Sequence, residues 1–149
     1  MKKIGASACL CNIKCRYDGS SIANLGFDDY LPICPEVLIG LPAPRQPLEI
    51  QGTIITNTYD DLAAGQIKVV DNSGKDYSNL LVEGCNKALE QILSKDITRV
   101  VLKDNSPTCG LDNIYDGSFS GKRIKGEGIF CALLRKNNIE VINWDNKRD

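Results

Sequence analysis

Three short apolar runs in this chain each end on a cysteine. Lys3-Ile4-Gly5-Ala6-Ser7-Ala8 runs into Cys9, and Tyr30-Leu31-Pro32-Ile33 runs into Cys34-Pro35-Glu36. Val100-Val101-Leu102-Lys103 breaks at Asp104-Asn105-Ser106-Pro107 into Thr108-Cys109-Gly110. Apolar, β-branched runs stopped by turn residues read as buried strands. Ligands of α/β proteins gather beyond the carboxyl ends of parallel strands. The pattern therefore predicts one sheet with a thiol-lined site along one edge.

The intervening segments support an α/β reading. Ser20 to Leu31 reads as a short helix or an irregular crossover, and Cys34-Pro35-Glu36 as a helix start with Cys34 as N-cap and Pro35 at the first helical position. In that place, unpaired amide N–H groups are expected to lower the Cys34 pKa, and Glu36 sits where the helix dipole favours a carboxylate. Leu48 to Thr56 and Gln66 to Val70 read as a hairpin around Asn57-Thr58-Tyr59-Asp60-Asp61. Asp76-Tyr77-Ser78 caps a helix to about Ser94, with Leu81, Cys85, Ala88, Leu89 and Ile92 on its apolar stripe. Strand Arg99–Lys103 follows, then a loop over 112–128, a helix from Glu127 to Asn137 and a strand from Ile139 to Ile142. A strand–helix–strand ending favours parallel pairing. The expected fold is a compact single α/β domain over 1–149, Rossmann-like, with a mainly parallel sheet flanked by helices.

Composition narrows the chemistry. Seven cysteines and no histidine occur in 149 residues. The odd count and the size argue against a secreted disulfide framework and for a metal or redox site in a reducing cytoplasm. Without histidine there is no Ser-His-Asp or Cys-His nucleophile and no imidazole ligand or base. A net charge of −1 with mixed signs argues against a nucleic-acid surface. No apolar run reaches membrane-spanning length, and the opening Met1-Lys2-Lys3 stretch has too short an apolar part for a signal peptide. The glycines of 117–128 lack the spacing and the Lys-Ser/Thr ending of a phosphate-binding loop. Oligomeric state is not legible.

If Cys9, Cys34 and Cys109 meet, they need a partner, because disulfides join sulfurs only in pairs. Zinc would require a fourth ligand, with Cys15 or Cys11 at hand. A four-iron cluster normally takes four cysteines; three would leave one iron open as a Lewis acid. Glu36 and Ser106 lie within three residues of these thiols and could move protons there. Arg45, in the stiff segment Leu41–Pro47, is either a solvated loop charge or a cation aimed at substrate. Cys85 and Cys131 fall inside helical patterns and read as packing residues.

Six motifs in order carry a family resemblance: Ser7-Ala8-Cys9-Leu10, Cys15-Arg16-Tyr17-Asp18-Gly19, Cys34-Pro35-Glu36, Pro42-x-Pro44-Arg45, Ser106-Pro107-Thr108-Cys109-Gly110 and Ile114 to Gly121. The chain resembles, from about Ile4 to Trp144, a small bacterial family whose characterised branch is the thiouracil desulfurases. The resemblance implies a 4Fe–4S cluster held by Cys9, Cys34 and Cys109, with one iron open to the sulfur of a thiolated pyrimidine. It implies Glu36 and Ser106 as the acid–base pair, Arg45 and Asn105 as substrate contacts, and a hydrolytic, non-redox release of sulfide. Cys11 is a thiol beyond the family pattern, and Cys15 matches the pattern in a supporting role. Two other readings stay open: a non-catalytic zinc- or cluster-bearing protein for sulfur delivery or redox sensing, closed by Cys11 or Cys15, and a metal-free thiol enzyme using Cys109.

Overall fold

The computed structural model of the chain describes residues 4–147, with side chains to Asp145. The opening Met1-Lys2-Lys3, including the first residue of the expected first strand, lies outside the described residues. Strand β1 (Ile4–Ser7) leads through a single 3-10 turn at Ala8–Leu10 into an irregular stretch, and strand β2 (Tyr30–Ile33) follows. No helix forms between Ser20 and Tyr30. The segment instead runs back along the cysteine loop, with Asn24 bridged to Cys11 and Cys9 O accepting from Ile22 N and Ala23 N.

Helix α1 (Pro35–Leu38) is one turn long, and strand β3 (Leu48–Gln51) pairs antiparallel with β4 (Lys68–Asp71). The expected hairpin pairing is therefore present, but its connection holds helix α2 (Thr58–Ala63) rather than a turn. The reason is local: Asn57 Oδ1 accepts from Asp60 N at 2.9 Å, a helix N-cap. Helix α3 (Ser78–Ser94) buries Leu81, Cys85, Ala88 and Ile92 as the stripe required. Strand β5 (Arg99–Leu102) comes next. Within the stretch expected to be loop, β6 (Asn113–Tyr115) and β7 (Arg123–Lys125) form a small antiparallel hairpin. Helix α4 (Ile129–Lys136), strand β8 (Glu140–Asn143) and the short helix α5 (Trp144–Lys147) complete the chain.

The central sheet has the order β2-β1-β5-β8, with all neighbours parallel. Pro32 sits in β2, an edge strand, where its missing N–H costs no ladder bond. Alternation along β5 sends Val100 and Leu102 into a core with α3 and α4, and Val101 to the other face against Ala8, Leu10 and Trp144. Cys85 and Cys131 are fully buried in the first core, as packing residues. Because the sheet is parallel, its carboxyl ends deliver the segments after β1, β2 and β5 to one side.

Candidate active site

Each cysteine loop is fixed by backbone chemistry before any ligand is considered. After β5, Asp104 is buried and acts as a hub. Its Oδ1 accepts from the N–H groups of Asn105 (2.8 Å), Leu111 (2.9 Å), Asp112 (3.3 Å) and Asn113 (3.2 Å), and its Oδ2 from Asn143 Nδ2 (3.0 Å). These bonds hold the Asp104 carboxyl below the ordinary value of 3.8 although burial opposes them. Inside the loop, Ser106 Oγ accepts from Cys109 N (2.7 Å) and Thr108 N (3.2 Å). The loop then closes onto α4: Pro107 O and Thr108 O take the N–H groups of Ile129 (2.8 Å) and Phe130 (2.9 Å). These are N–H groups of the first helical turn, which have no partner within the helix. Gly128 permits this approach, since a Cβ there would lie 2.4 Å from Thr108 O.

Cys34 is the N-cap of α1, with Pro35 at the first helical position as its sequence implies. That one-turn helix is set against α3 at Gly84, where a Cβ would fall 2.4 Å from Pro35 O. Glu36 Oε1 accepts from Thr108 Oγ1 at 2.6 Å, and Glu36 Oε2 is paired with Arg45 Nη2. Arg45 is therefore no solvated loop charge: the side chains of Arg45 and Glu36 are only 11 % and 13 % exposed. Arg45 Nη1 also donates to Cys15 O (3.0 Å) and Pro42 O (3.1 Å), while its buried Nε has no hydrogen-bond partner. The proline-rich segment thus straps the cysteine loop to the Glu36 turn.

These groups line one cavity of about 420 Å³. Cys9, Cys15, Cys34 and Cys109 face it, together with Glu36, Arg45, Asn105 and Ser106. Every residue expected to act at the site therefore borders the same space. Cys11 does not line it; it is buried in the bridge to Asn24. Asn105 adopts a left-handed backbone (φ 79°), and its Oδ1 accepts from Arg123 Nη1 at 3.4 Å. Among the described residues no three Cys, Asp or Glu side chains converge closely enough to hold a single metal ion. Four soft sulfur donors spread around a cavity suit an iron–sulfur cluster, whose thiolates attach at separate irons rather than at one point.

The thiols are electrostatically coupled. Cys34 shares a hydrogen bond with Cys15, and that bond, with burial, pushes its pKa well above 9.0. The N-cap effect exists, as a bond from Val37 N that lowers the pKa, but it is outweighed; the expected net lowering is corrected. For Cys15 the bond to Cys34 lowers the pKa, but a second bond to Cys9 and burial prevail, leaving it pushed up to about 11. Burial raises Cys109 to about 12, against a lowering bond with Ser7. Such groups are neutral thiols at pH 7 unless a positive centre draws off their protons.

The sequence offers no role for Thr108 or Asp104, and for Cys15 a supporting place or that of a fourth ligand. The signal for Thr108 was its place inside Ser-Pro-x-Cys-Gly, but its reach to Glu36 spans 72 residues and is invisible locally.

Known proteins match this arrangement along nearly its whole length. The 2-thiouracil desulfurase family model matches residues 4–146. The chain is 39% identical to Uncharacterized protein YbbK of Bacillus subtilis (strain 168), over 96% of either chain. It superposes with a TM-score of 0.81 on the solved structure of the [4Fe-4S]-dependent thiouracil desulfidase TudS, at 35% identity, covering 98% of this chain and 93% of that one. With all four cavity cysteines inside the matched span, the chain belongs to the 2-thiouracil desulfurase family.

Proposed function

We propose that the protein removes sulfur from a thiolated pyrimidine such as 2-thiouracil by hydrolysis, giving uracil and sulfide. One observation carries this reading: four thiols and a buried Glu36–Arg45 pair border one cavity at the carboxyl ends of a parallel sheet. Cys9, Cys34 and Cys109 would hold a 4Fe–4S cluster, the cofactor named for the matched TudS structure. Bound by three protein thiolates, such a cluster supplies an open iron that polarises a thiocarbonyl as a Lewis acid.

The protein's own groups divide the remaining work. Arg45 pairs with Glu36 Oε2, and Thr108 fixes the angle of its Oε1. A carboxylate has about four acceptor sites, so Glu36 retains room to take a proton from the attacking water. Ser106 Oγ already accepts two backbone N–H bonds. Its remaining function is its O–H, so it serves as a donor to charge developing on the substrate rather than as a nucleophile. Arg45 also borders the cavity, where its guanidinium supplies positive charge toward a bound substrate. Atoms balance with one water consumed and sulfide released, and no electrons are needed. The seven free cysteines fit a reducing cytoplasm.

One observation favours a second reading, a closed cluster that stores or delivers sulfur: Cys15 borders the same cavity as Cys9, Cys34 and Cys109. Purification without oxygen, with iron and acid-labile sulfide assay and chromatography of 2-thiouracil incubations, separates the two. Roughly four irons and four sulfides per chain with uracil appearing support the enzyme. A full cluster with no uracil supports closure, and zinc without sulfide overturns both cluster readings.

A further inference from the structure

The tip of the β6–β7 hairpin, residues 115–121, takes no part in the chemistry above. It nevertheless lines the cavity, to which it contributes Tyr115, Phe119 and Gly121. The tip is clamped onto β3. Glu49, 7 % exposed, accepts through Oε1 from Gly117 N (3.0 Å) and Phe119 N (3.2 Å), and Gln51 Nε2 donates to Gly117 O (2.9 Å). Asp116 Oδ1 adds a local turn by accepting from Ser118 N at 2.9 Å. Gly117 lies so close to β3 that a Cβ would meet Ile50 O at 2.5 Å. The result is Phe119 held in the left-handed region at φ 57°. An aromatic residue is strained there, and such strain persists only where surrounding structure over-determines it, characteristically at functional positions.

A buried carboxylate has thus been placed where it fixes one strained aromatic residue against the cavity that holds the thiols. We propose that Phe119 is the specificity wall of this site: its ring stacks on a planar heteroaromatic thione and so selects cyclic thiocarbonyls over open-chain ones. The inference rests on the desulfurase reading and adds to it the residue that selects for the ring. Stacking recognises a flat π face and has no counterpart for a small thioamide. Tyr115 borders the same cavity, as do Cys9, Cys34 and Cys109.

The test is calorimetry on the cluster-loaded protein with 2-thiouracil, uracil and the acyclic compound thiourea, alongside initial rates of sulfide release. Phe119→Leu keeps the Cβ and the apolar bulk, and therefore the backbone strain, but removes the π face. It is expected to raise Kd for both ring compounds, and KM for 2-thiouracil, about tenfold. Iron content and thiourea affinity should stay unchanged, and Phe119→Trp should restore ring binding. Equal losses for ring and chain compounds, or none, would overturn the wall, as would failure of both ring compounds to bind the native protein. Failure of the desulfurase reading looks different: the ring compounds bind and depend on Phe119, but no sulfide is released.

Discussion

Arg45 couples three parts of the site through a single side chain. It neutralises Glu36, ties down the Cys15 carbonyl and keeps one N–H uncommitted. Replacing Glu36 by Gln retains the Thr108 bond but loses both the base and the partner of Arg45 Nη2. Sulfide release should then fall by about 10²–10⁴ with iron content unchanged. Equal rates in the two proteins would remove Glu36 from the proton path. Cysteine substitutions sort the thiols in the same way. Cys9→Ala, Cys34→Ala and Cys109→Ala should each lose the cluster, measured as iron per chain and visible absorbance, whereas Cys15→Ala should keep it. Loss of iron in Cys15→Ala would favour the closed, four-thiolate centre.

Elements matter here through how closely they approach. The α1–α3 contact at Gly84 leaves no room for a methyl group. Gly84→Ala should cost about 1–3 kcal/mol in denaturant unfolding and loosen Cys34, so that iron is lost faster on dilution. Asp104→Ala would leave several backbone N–H groups without an acceptor, at about 1–3 kcal/mol for each that stays buried and unpaired, and should free the Cys109 loop. At this scale the sequence was only partly readable. The α3 stripe and the β1 and β5 runs were legible because both periodicity and burial are continuous there. The β6–β7 hairpin was not: β7 is Arg123-Ile124-Lys125, three exposed residues with no apolar face to announce them. Helix α2 was hidden because its N-cap, Asn57, is equally at home in a turn.

For the whole molecule, the placement of Cys9, Cys34 and Cys109 around one cavity was legible because parallel topology brings three strand ends to one side. What escaped was everything joined across distant segments: Thr108 to Glu36, Glu49 to Gly117, and Cys15 to its two neighbours. Thiols that do not line the cavity set a global property. Burial pushes Cys131 up to about 12 from an ordinary 9.0 and drives Cys85 upward as well. The folded state therefore favours their neutral forms. That contribution is complete below pH 9 and is lost as pH climbs toward the folded values. Thermal unfolding of the cluster-free protein should show a melting temperature that declines above pH 9, less steeply in Cys131→Val. A flat profile would mean that these thiols do not limit alkaline stability.

The sheet order carries one more consequence. The strand made first, β1, is an inner strand whose neighbours are β2 and the much later β5, with Gly5 opposite Val100. During synthesis on the ribosome, Cys9, Cys15 and Cys34 emerge long before β5 and Cys109 can close their cavity. Contacts so distant in sequence form late. Until then those three thiols border no common cavity, because the wall that carries Cys109 exists only once β5 has paired with β1.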